Sequence, residues 1–377
     1  MTLFEQQILD LIQDAFPLVE RPYKVLAEML NELAANCDSV NNVGEKCANP
    51  VVSEQVVFEA VENLRSSGVI RRIGGVYDSK KLGFISRLCA GKVPVSTLDF
   101  SSEPHEQTAM EKFAAAVNEV PAITHNYIRS HEYNVWFTVI AENETAIQTV
   151  VDRVCAATDL HDVHVMSATR KFKINTVMRG ASAPVDSRQL AVGRDGDERG
   201  TERHSDNRRL EESDKSRIRT ACEDIPHLLT PFKDWGVSCD ELREELTSKR
   251  MRRFGAILRH QNAGFAFNAM VCFNIDERRI ILSDEAAKDP VKSYDLIAQA
   301  GSLLASNPHV SHCYERPSFD GFPYNVYAMM HANSAEQLDQ FIAYCVNALN
   351  ALQSTPVEYV VLRSVQELKK TSFKFFA

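Results

Sequence analysis

Two stretches of the chain set histidine, tyrosine and arginine at alternate positions. The first is Thr124-His-Asn-Tyr-Ile-Arg, carrying His125, Tyr127 and Arg129; the second is Ser311-His-Cys-Tyr-Glu-Arg, carrying His312, Tyr314 and Arg316. Alternate side chains of a strand share a face. Each stretch therefore predicts a strand face with an imidazole, a phenol and a guanidinium in a row. Such a row is costly to bury alone, and it suits a polyanionic ligand that takes and gives protons. Histidine is the side chain best poised to move a proton near neutral pH. That makes His125 and His312 the catalytic candidates, with His131, at the turn after the first row, as a third. Arginine pairs bidentately with carboxylate through its planar fork. Arg129 and Arg316 supply it on the strand faces, and the doublets Arg71-Arg72 and Arg252-Arg253 supply it elsewhere. Each doublet would serve equally as a solvated or domain-bridging pair.

The rows belong to a tandem repeat. Arg71-Arg-Ile-Gly-Gly-Val returns as Arg252-Arg-Phe-Gly-Ala-Ile at an offset of 181, and Gly83-Phe84 returns as Gly264-Phe265. The rows recur at offset 187, and Tyr133-Asn134 recurs as Tyr324-Asn325 at 191. Two copies with small insertions are what fusion of two related subunits would leave; a solenoid needs more. Between the copies, 13 of the 22 residues from Gly193 to Asp214 are charged. That composition cannot offset its ordering entropy and reads as a flexible linker over 181–213.

Helical periodicity places helices at 3–16, at about 23–35 and from Ser53 to about Ser67, followed by a short strand pair at 69–77. Three helices and a wing over 1–80 make a winged helix-turn-helix. Residues 36–50 read as an inserted loop. The second copy, over 214–262, keeps helices at 214–225 and 238–249 and has lost most of its middle helix. The rest of each half, 81–180 and 263–377, reads strand, helix, strand, strand, helix, strand. The second copy's strands and helices fall at 265–275, 291–306, 309–316, 324–332, 335–350 and 356–363. Two such βαββαβ domains are ferredoxin-like, so the fold class is α+β. One face of each sheet lies under helices, leaving the other to pair with a second copy, from the same chain or another.

With 377 residues the chain is long enough for several domains. Its net charge of −9 disfavours a general nucleic-acid binder. The third helix opposes Glu54, Glu59 and Glu62 to one Arg65, which argues against groove binding. Nine scattered cysteines read as reduced cytoplasmic thiols, with Cys37 and Cys47 at most half a zinc site. No signal peptide and no membrane-length apolar run is evident, and no phosphate loop or zinc-protease motif competes.

A winged helix followed by a ferredoxin-like domain resembles the Lrp/AsnC-type regulators. The longer motifs are more specific: Gly68-Val-Ile-Arg-Arg-Ile-Gly-Gly-Val, Thr124-His-Asn-Tyr-x-Arg-x-His-x-Tyr-Asn-x-Trp-Phe, Arg252-Arg-Phe-Gly-Ala, Ser311-His-Cys-Tyr-x-Arg-Pro and Tyr324-Asn-Val-Tyr. They resemble the siroheme decarboxylases, usually two related subunits and in some denitrifiers fused. The resemblance covers nearly the whole chain apart from the linker and the 36–50 loop.

It implies removal of carbon dioxide from two ring acetates of sirohaem, giving 12,18-didecarboxysirohaem on the way to haem d1 or, alternatively, haem b. The competing implication is a DNA-binding regulator that senses a small molecule or tetrapyrrole. Sirohaem has many carboxylates around a flat iron macrocycle, so its site needs several cations, an apolar slot and a proton donor. Arg71, Arg72, Arg129, Arg252, Arg253 and Arg316, with Tyr127 and Tyr314, are the expected substrate-binding residues. His125 and His312 would each serve one acetate, or one would ligate the iron. No cofactor is expected beyond that substrate iron, and no nucleic-acid or membrane partner. Glycines at 74, 75 and 255 would let backbone pass close to a ligand. Trp136 and Tyr327 are expected in the core, and His331 ranks below the other histidines. His260 would meet a propionate, and the tail from Lys369 would either close over the ring or simply dock.

Overall fold

The computed structural model describes residues 1–38, 51–94, 108–158, 160, 162–174, 210–259, 267–276, 295–353, 355–371 and 373–376. Most of the linker expected over 181–213 and of the loop expected over 36–50, with Cys47, His260 and Gly264-Phe265, lies outside the described residues; the described ends of both differ from expectation, since residues 36–38 continue the second helix and Glu212 opens a helix.

The first module holds α1 (Leu3–Asp14), α2 (Pro22–Asp38) and α3 (Glu54–Ser66). Thr2 and Glu5 form a capping box that starts α1, and the Ser53 hydroxyl accepts from the Val56 N–H to start α3. The second module keeps α6 (Glu212–Cys222) and α7 (Cys239–Thr247), the latter opened by a Ser238–Glu241 capping box. The two modules share one apolar core, from Ile8 and Val61 through Ile218 and Leu242.

The wing differs from the expected hairpin. Residues 70–77 form one strand, β1 (Ile70–Tyr77), whose partner is its counterpart β7 (Met251–Leu258) in the other half. Gly74-Gly75 makes no turn, so the strand runs straight through it and pairs with the other copy. These glycines also have a different use from the one expected. A Cβ on Gly74 would lie 2.4 Å from the Glu223 carbonyl oxygen, and one on Gly255 would lie 2.6 Å from that of Ile12. The close approach is by protein backbone at the helix ends, not by a ligand.

The first ferredoxin-like unit is β2 (Ile85–Gly91), α4 (Ala109–Glu119), β3 (Ile123–Arg129), β4 (Val135–Ala141), α5 (Glu144–Thr158) and β5 (Val163–Met166), followed by β6 (Arg170–Ile174). The second is β8 (Phe267–Asn274), α8 (Leu296–Ser306), β9 (Val310–Glu315), β10 (Val326–Ala332), α9 (Ala335–Leu352) and β11 (Glu358–Lys370). Sheet order is β5-β2-β4-β3-β11-β8-β10-β9-β6. The strands at its two edges, β5 and β6, are not paired with each other but follow one another in the chain with three residues between them, so the sheet curls into a ring that the chain itself joins. The halves thus pair within one chain. β11 joins the two halves: it pairs with β8 up to Arg363, then with β3 from Ser364 to Lys370. This is why the last strand runs beyond the expected end at 363.

Helices cover the outside of the ring over two separate apolar cores. The inside is a third, mixed core, in which Ala90, Tyr133, Trp136 and Met166 of one half meet Met270, Cys272, Phe322, Tyr327 and Leu362 of the other. The tail docks: Phe373, Phe375 and Phe376 pack on Phe84, and Arg219 donates to the Phe376 carbonyl at 2.9 Å. No described helix is long and apolar enough to cross a membrane.

Candidate active site

Both rows point into the ring. Tyr127 lies opposite Trp136 in the β3–β4 register, and Tyr314 lies opposite Tyr327 in the β9–β10 register. Trp136 and Tyr327 belong to the inner core, so the residues opposite them share that face.

Arg129 is buried, 4 % exposed. Its Nη1 donates to the Leu362 carbonyl at 3.2 Å, and its guanidinium lies 4.8 Å from the Tyr127 ring centroid. Arg316 repeats the arrangement: Nη1 donates to the Met166 carbonyl at 3.2 Å, with the Tyr314 ring centroid at 4.9 Å. Leu362 and Met166 hold equivalent places, each on the last strand of the opposite half. The Nε of each arginine is buried without a hydrogen-bond partner. Neither arginine forms an ion pair among the described residues. Burial pulls both pKa values down, though nearby tyrosines oppose it. Both cations act on the buried Cys272 thiol, so they converge on one interior.

Toward the wing end, each row finishes in its histidine. His125 Nδ1 lies 2.9 Å from Thr124 Oγ1, and His312 Nδ1 lies 2.9 Å from Ser311 Oγ. A hydroxyl on Nδ1 fixes the ring's orientation. The wing roofs this end through one arginine of each doublet. Arg71 lies within electrostatic reach of Arg259, Glu367 and Tyr127. Arg252 reaches Tyr314 and pairs with Asp78 at 2.9 Å. Burial pushes the Asp78 carboxyl up, but Arg252 and Lys171 outweigh it and hold it below its ordinary value.

The other arginine of each doublet turns away, as alternation along a strand requires. Arg72 donates to the Gly75 carbonyl at 3.2 Å and sits among Cys222, Glu223 and Asp224. Arg253 donates to the carbonyls of Gln13 and, at 3.1 Å, Ala256. Burial lowers its pKa to about 10. Both are module-docking residues, so the structure does not bring them to the rows. His131 is also elsewhere. Six residues along from His125, roughly 20 Å on strand spacing, it accepts from the Tyr133 N–H at 3.1 Å and meets Phe322 edge-on. Burial lowers its pKa.

Sequence reasoning missed Thr124, Ser311, Glu367 and Lys171. The hydroxyls stood in plain view, one residue before each histidine. Glu367 and Lys171 had no local signal, because they face Tyr127 and Tyr314 only through strand register between halves.

The recognition helix α3 is occupied. Arg65 donates to both carboxylate oxygens of Asp224, at 2.5 and 3.0 Å, and Phe58 stacks on His227 with centroids 4.0 Å apart. One side of the helix, around Phe58 and Arg65, packs on the other half, and the side left exposed carries the acids Glu59 and Glu62.

A ring of two βαββαβ units with paired helical modules defines the Lrp/AsnC-like class. In agreement, residues 81–173 and 291–369 match the AsnC-like ligand binding domain, and residues 5–32 match the siroheme decarboxylase NirDL-like HTH domain. The siroheme decarboxylase of Hydrogenobacter thermophilus is 28% identical over 98% of this chain and 94% of its own length. The siroheme decarboxylase alpha subunit of Desulfovibrio desulfuricans is 36% identical over 48% of this chain and 84% of its own length. The crystal structure of siroheme decarboxylase NirDL in complex with an iron-uroporphyrin III analogue superposes with a TM-score of 0.58, at 24% identity, over 98% of this chain and 94% of that one. The chain belongs to the siroheme decarboxylase family.

Proposed function

We propose that this protein removes carbon dioxide from two ring acetates of sirohaem, giving 12,18-didecarboxysirohaem, with the macrocycle seated between the wing and the ring interior. The observation that carries the reading is the pair Arg129 and Arg316. Two buried cations with unmet Nε donors converge on one interior without an ion pair among the described residues. A buried cation left this way costs stability, and an anionic ligand that spans both halves removes the cost. The ligand analogue bound by the related NirDL is a polyanionic iron tetrapyrrole of this kind.

The chemistry follows from the row. Arginine and tyrosine fix a carboxylate. The bond from carboxylate to methylene carbon breaks, carbon dioxide leaves, and the electron pair stays on that carbon, spread into the macrocycle. A proton from an imidazole then completes the methyl group, and solvent returns the proton to the imidazole. His125 and His312 are the imidazoles of the rows; His131 is set aside on position. The iron is part of the substrate. Anaerobic incubation with sirohaem followed by mass analysis should show the loss of two carbon dioxides; an unchanged octacarboxylate would refute the proposal.

A further inference from the structure

The histidine of the second row has another imidazole behind it. At this point β9 carries one residue more than β10: His312 lies opposite Met329 and Val310 opposite Met330, so Ser311 has no partner in the register. A bulge of this kind re-aims side chains and is common beside active sites. Here it sets the Ser311 hydroxyl against its neighbour's ring. Ser311 Oγ is 2.9 Å from His312 Nδ1 and 2.8 Å from His331 Nε2. Alternation along β10 turns His331 inward with Tyr327 and Met329, while Ala328, Met330 and Ala332 face the outer helices. Ser311 and His331 are both buried.

The first half repeats the bulge with a different residue behind it. Ile123 lies opposite Val139 and His125 opposite Thr138, so Thr124 is the extra residue there. The backbone N–H of His331 donates to the His309 carbonyl, and the equivalent bond, to the Ala122 carbonyl, is made by Ile140. The first half thus fills with isoleucine the place that the second gives to an imidazole. Isoleucine suffices for packing there, and a buried imidazole is costly unless it is hydrogen-bonded. The contact with Ser311 is therefore what distinguishes His331.

Resting on the function proposed above, we infer that Ser311 and His331 are positioning residues for the decarboxylation, holding His312 as the acid that completes a methyl group. A hydroxyl has one proton to give. When His312 is protonated, its Nδ1–H donates to Ser311 Oγ. The hydroxyl then donates to His331 Nε2, which is nearer than its other acceptor, the Met329 carbonyl at 3.4 Å. As the bond to carbon dioxide breaks, the electron pair left on the methylene carbon takes the Nε2 proton of His312. His312 ends as a neutral imidazole still held through Nδ1–H, and solvent restores its proton. The acceptor behind the hydroxyl favours the protonated form of His312. The residues across from the two imidazoles do not titrate: Met329 and Ile174 lie opposite His312, and Asn268 lies opposite His331. His309 stacks on Phe341 on the outer side. The titrating and charged groups along the same row are Tyr314, Arg316 and the wing's Arg252, with Lys171, which acts on Asp78.

The test uses variants of the full chain with sirohaem added anaerobically. Affinity is read by absorbance titration, and turnover by mass analysis across a range of pH. His331→Ile gives the second half the residue of the first. It should lose about tenfold or more in turnover, the scale for an outer partner of a functional histidine, with affinity kept. The alkaline limb of its turnover profile should move to lower pH, because His312 then gives up its proton more easily. Ser311→Ala should do the same. His331→Gln, whose amide reaches Ser311 from the place of Nε2, should keep both the rate and the limb of the wild-type protein. So should Ser311→Thr, which has the hydroxyl residue of the first half. Equal losses in His331→Ile and His331→Gln, or a loss of turnover matched by a loss of affinity with the limb unmoved, would show a packing residue and overturn the inference. Full turnover in His331→Ile would overturn it as well. A wild-type protein that leaves sirohaem unchanged would instead sink the function itself, and this inference with it.

Discussion

The ring and the helical modules are each built from two copies, but the copies have diverged to different degrees. Inside the ring, Arg129 and Arg316 donate to equivalent carbonyls at the same 3.2 Å, and both row histidines meet a hydroxyl at 2.9 Å. Outside it, the first module has three helices and the second has two, with residues 226–236 as turns in place of the middle helix. Besides the shared apolar core, the second module is held by polar contacts. Glu245, fully buried, takes Arg217 at 3.2 Å and Arg250 at 2.8 Å. Where two copies must face one ligand, their geometry is kept; where a copy only has to dock, a helix can be lost and an ion network can stand in.

Substitutions should therefore separate stability from affinity by region. The largest effect on stability belongs to Glu245→Ala, which leaves two arginines around a vacated buried site. A loss of about 3 kcal/mol is expected on breaking such a network. Denaturant unfolding would measure it, with sirohaem affinity unchanged; a matching loss of affinity would break the separation. Arg65→Ala removes the two-pronged contact with Asp224 that joins the modules. We expect a loss of about 1–2 kcal/mol, on the scale of a charged hydrogen bond that is partly exposed, again without change in affinity.

Arg129→Met should act in the opposite sense. It removes a buried cation with an unmet donor, so the ligand-free protein should gain about 1 kcal/mol while sirohaem binds more weakly. A variant that is less stable in the absence of ligand and binds normally would show the arginine to be structural.

The smallest effect is a pH dependence on the outer face of the ring. Lys173 donates to the Asn307 carbonyl at 2.7 Å, and burial lowers its pKa to about 8. Its unfolded value is about 10.5, so the folded state resists its proton. That penalty is fully present below pH 8 and fades as pH rises toward 10.5. The difference in melting temperature between wild type and Lys173→Met should change across that window and stay flat between pH 6 and 7.

Much of this architecture was legible before any coordinates. The repeat offsets gave two halves, and alternation along β3 and β9 put each row on one face. Arg71 and Arg252 were legible as candidates, but their neighbours Arg72 and Arg253 have the same side chain and differ only in which way the strand turns them. The strand pair expected at 69–77 is a single strand paired with the other half, and the glycines at 74 and 75 make room for carbonyls of the neighbouring module, which are far away in sequence, rather than for a ligand. Glu367 and Lys171 were invisible for the same reason, since their positions opposite the tyrosines arise only when β11 and β6 cross to the other half. Local pattern reports a strand's faces, but not its partner.

The most direct test of the account is an absorbance titration of sirohaem into Arg129→Met/Arg316→Met, compared with the wild-type protein. If the buried arginines are the anion anchors of both halves, the dissociation constant should rise at least 100-fold, about 3 kcal/mol for two lost charge-assisted contacts, while the double variant stays folded. An unchanged dissociation constant in a folded double variant would contradict the claim that the ring interior is where the substrate binds.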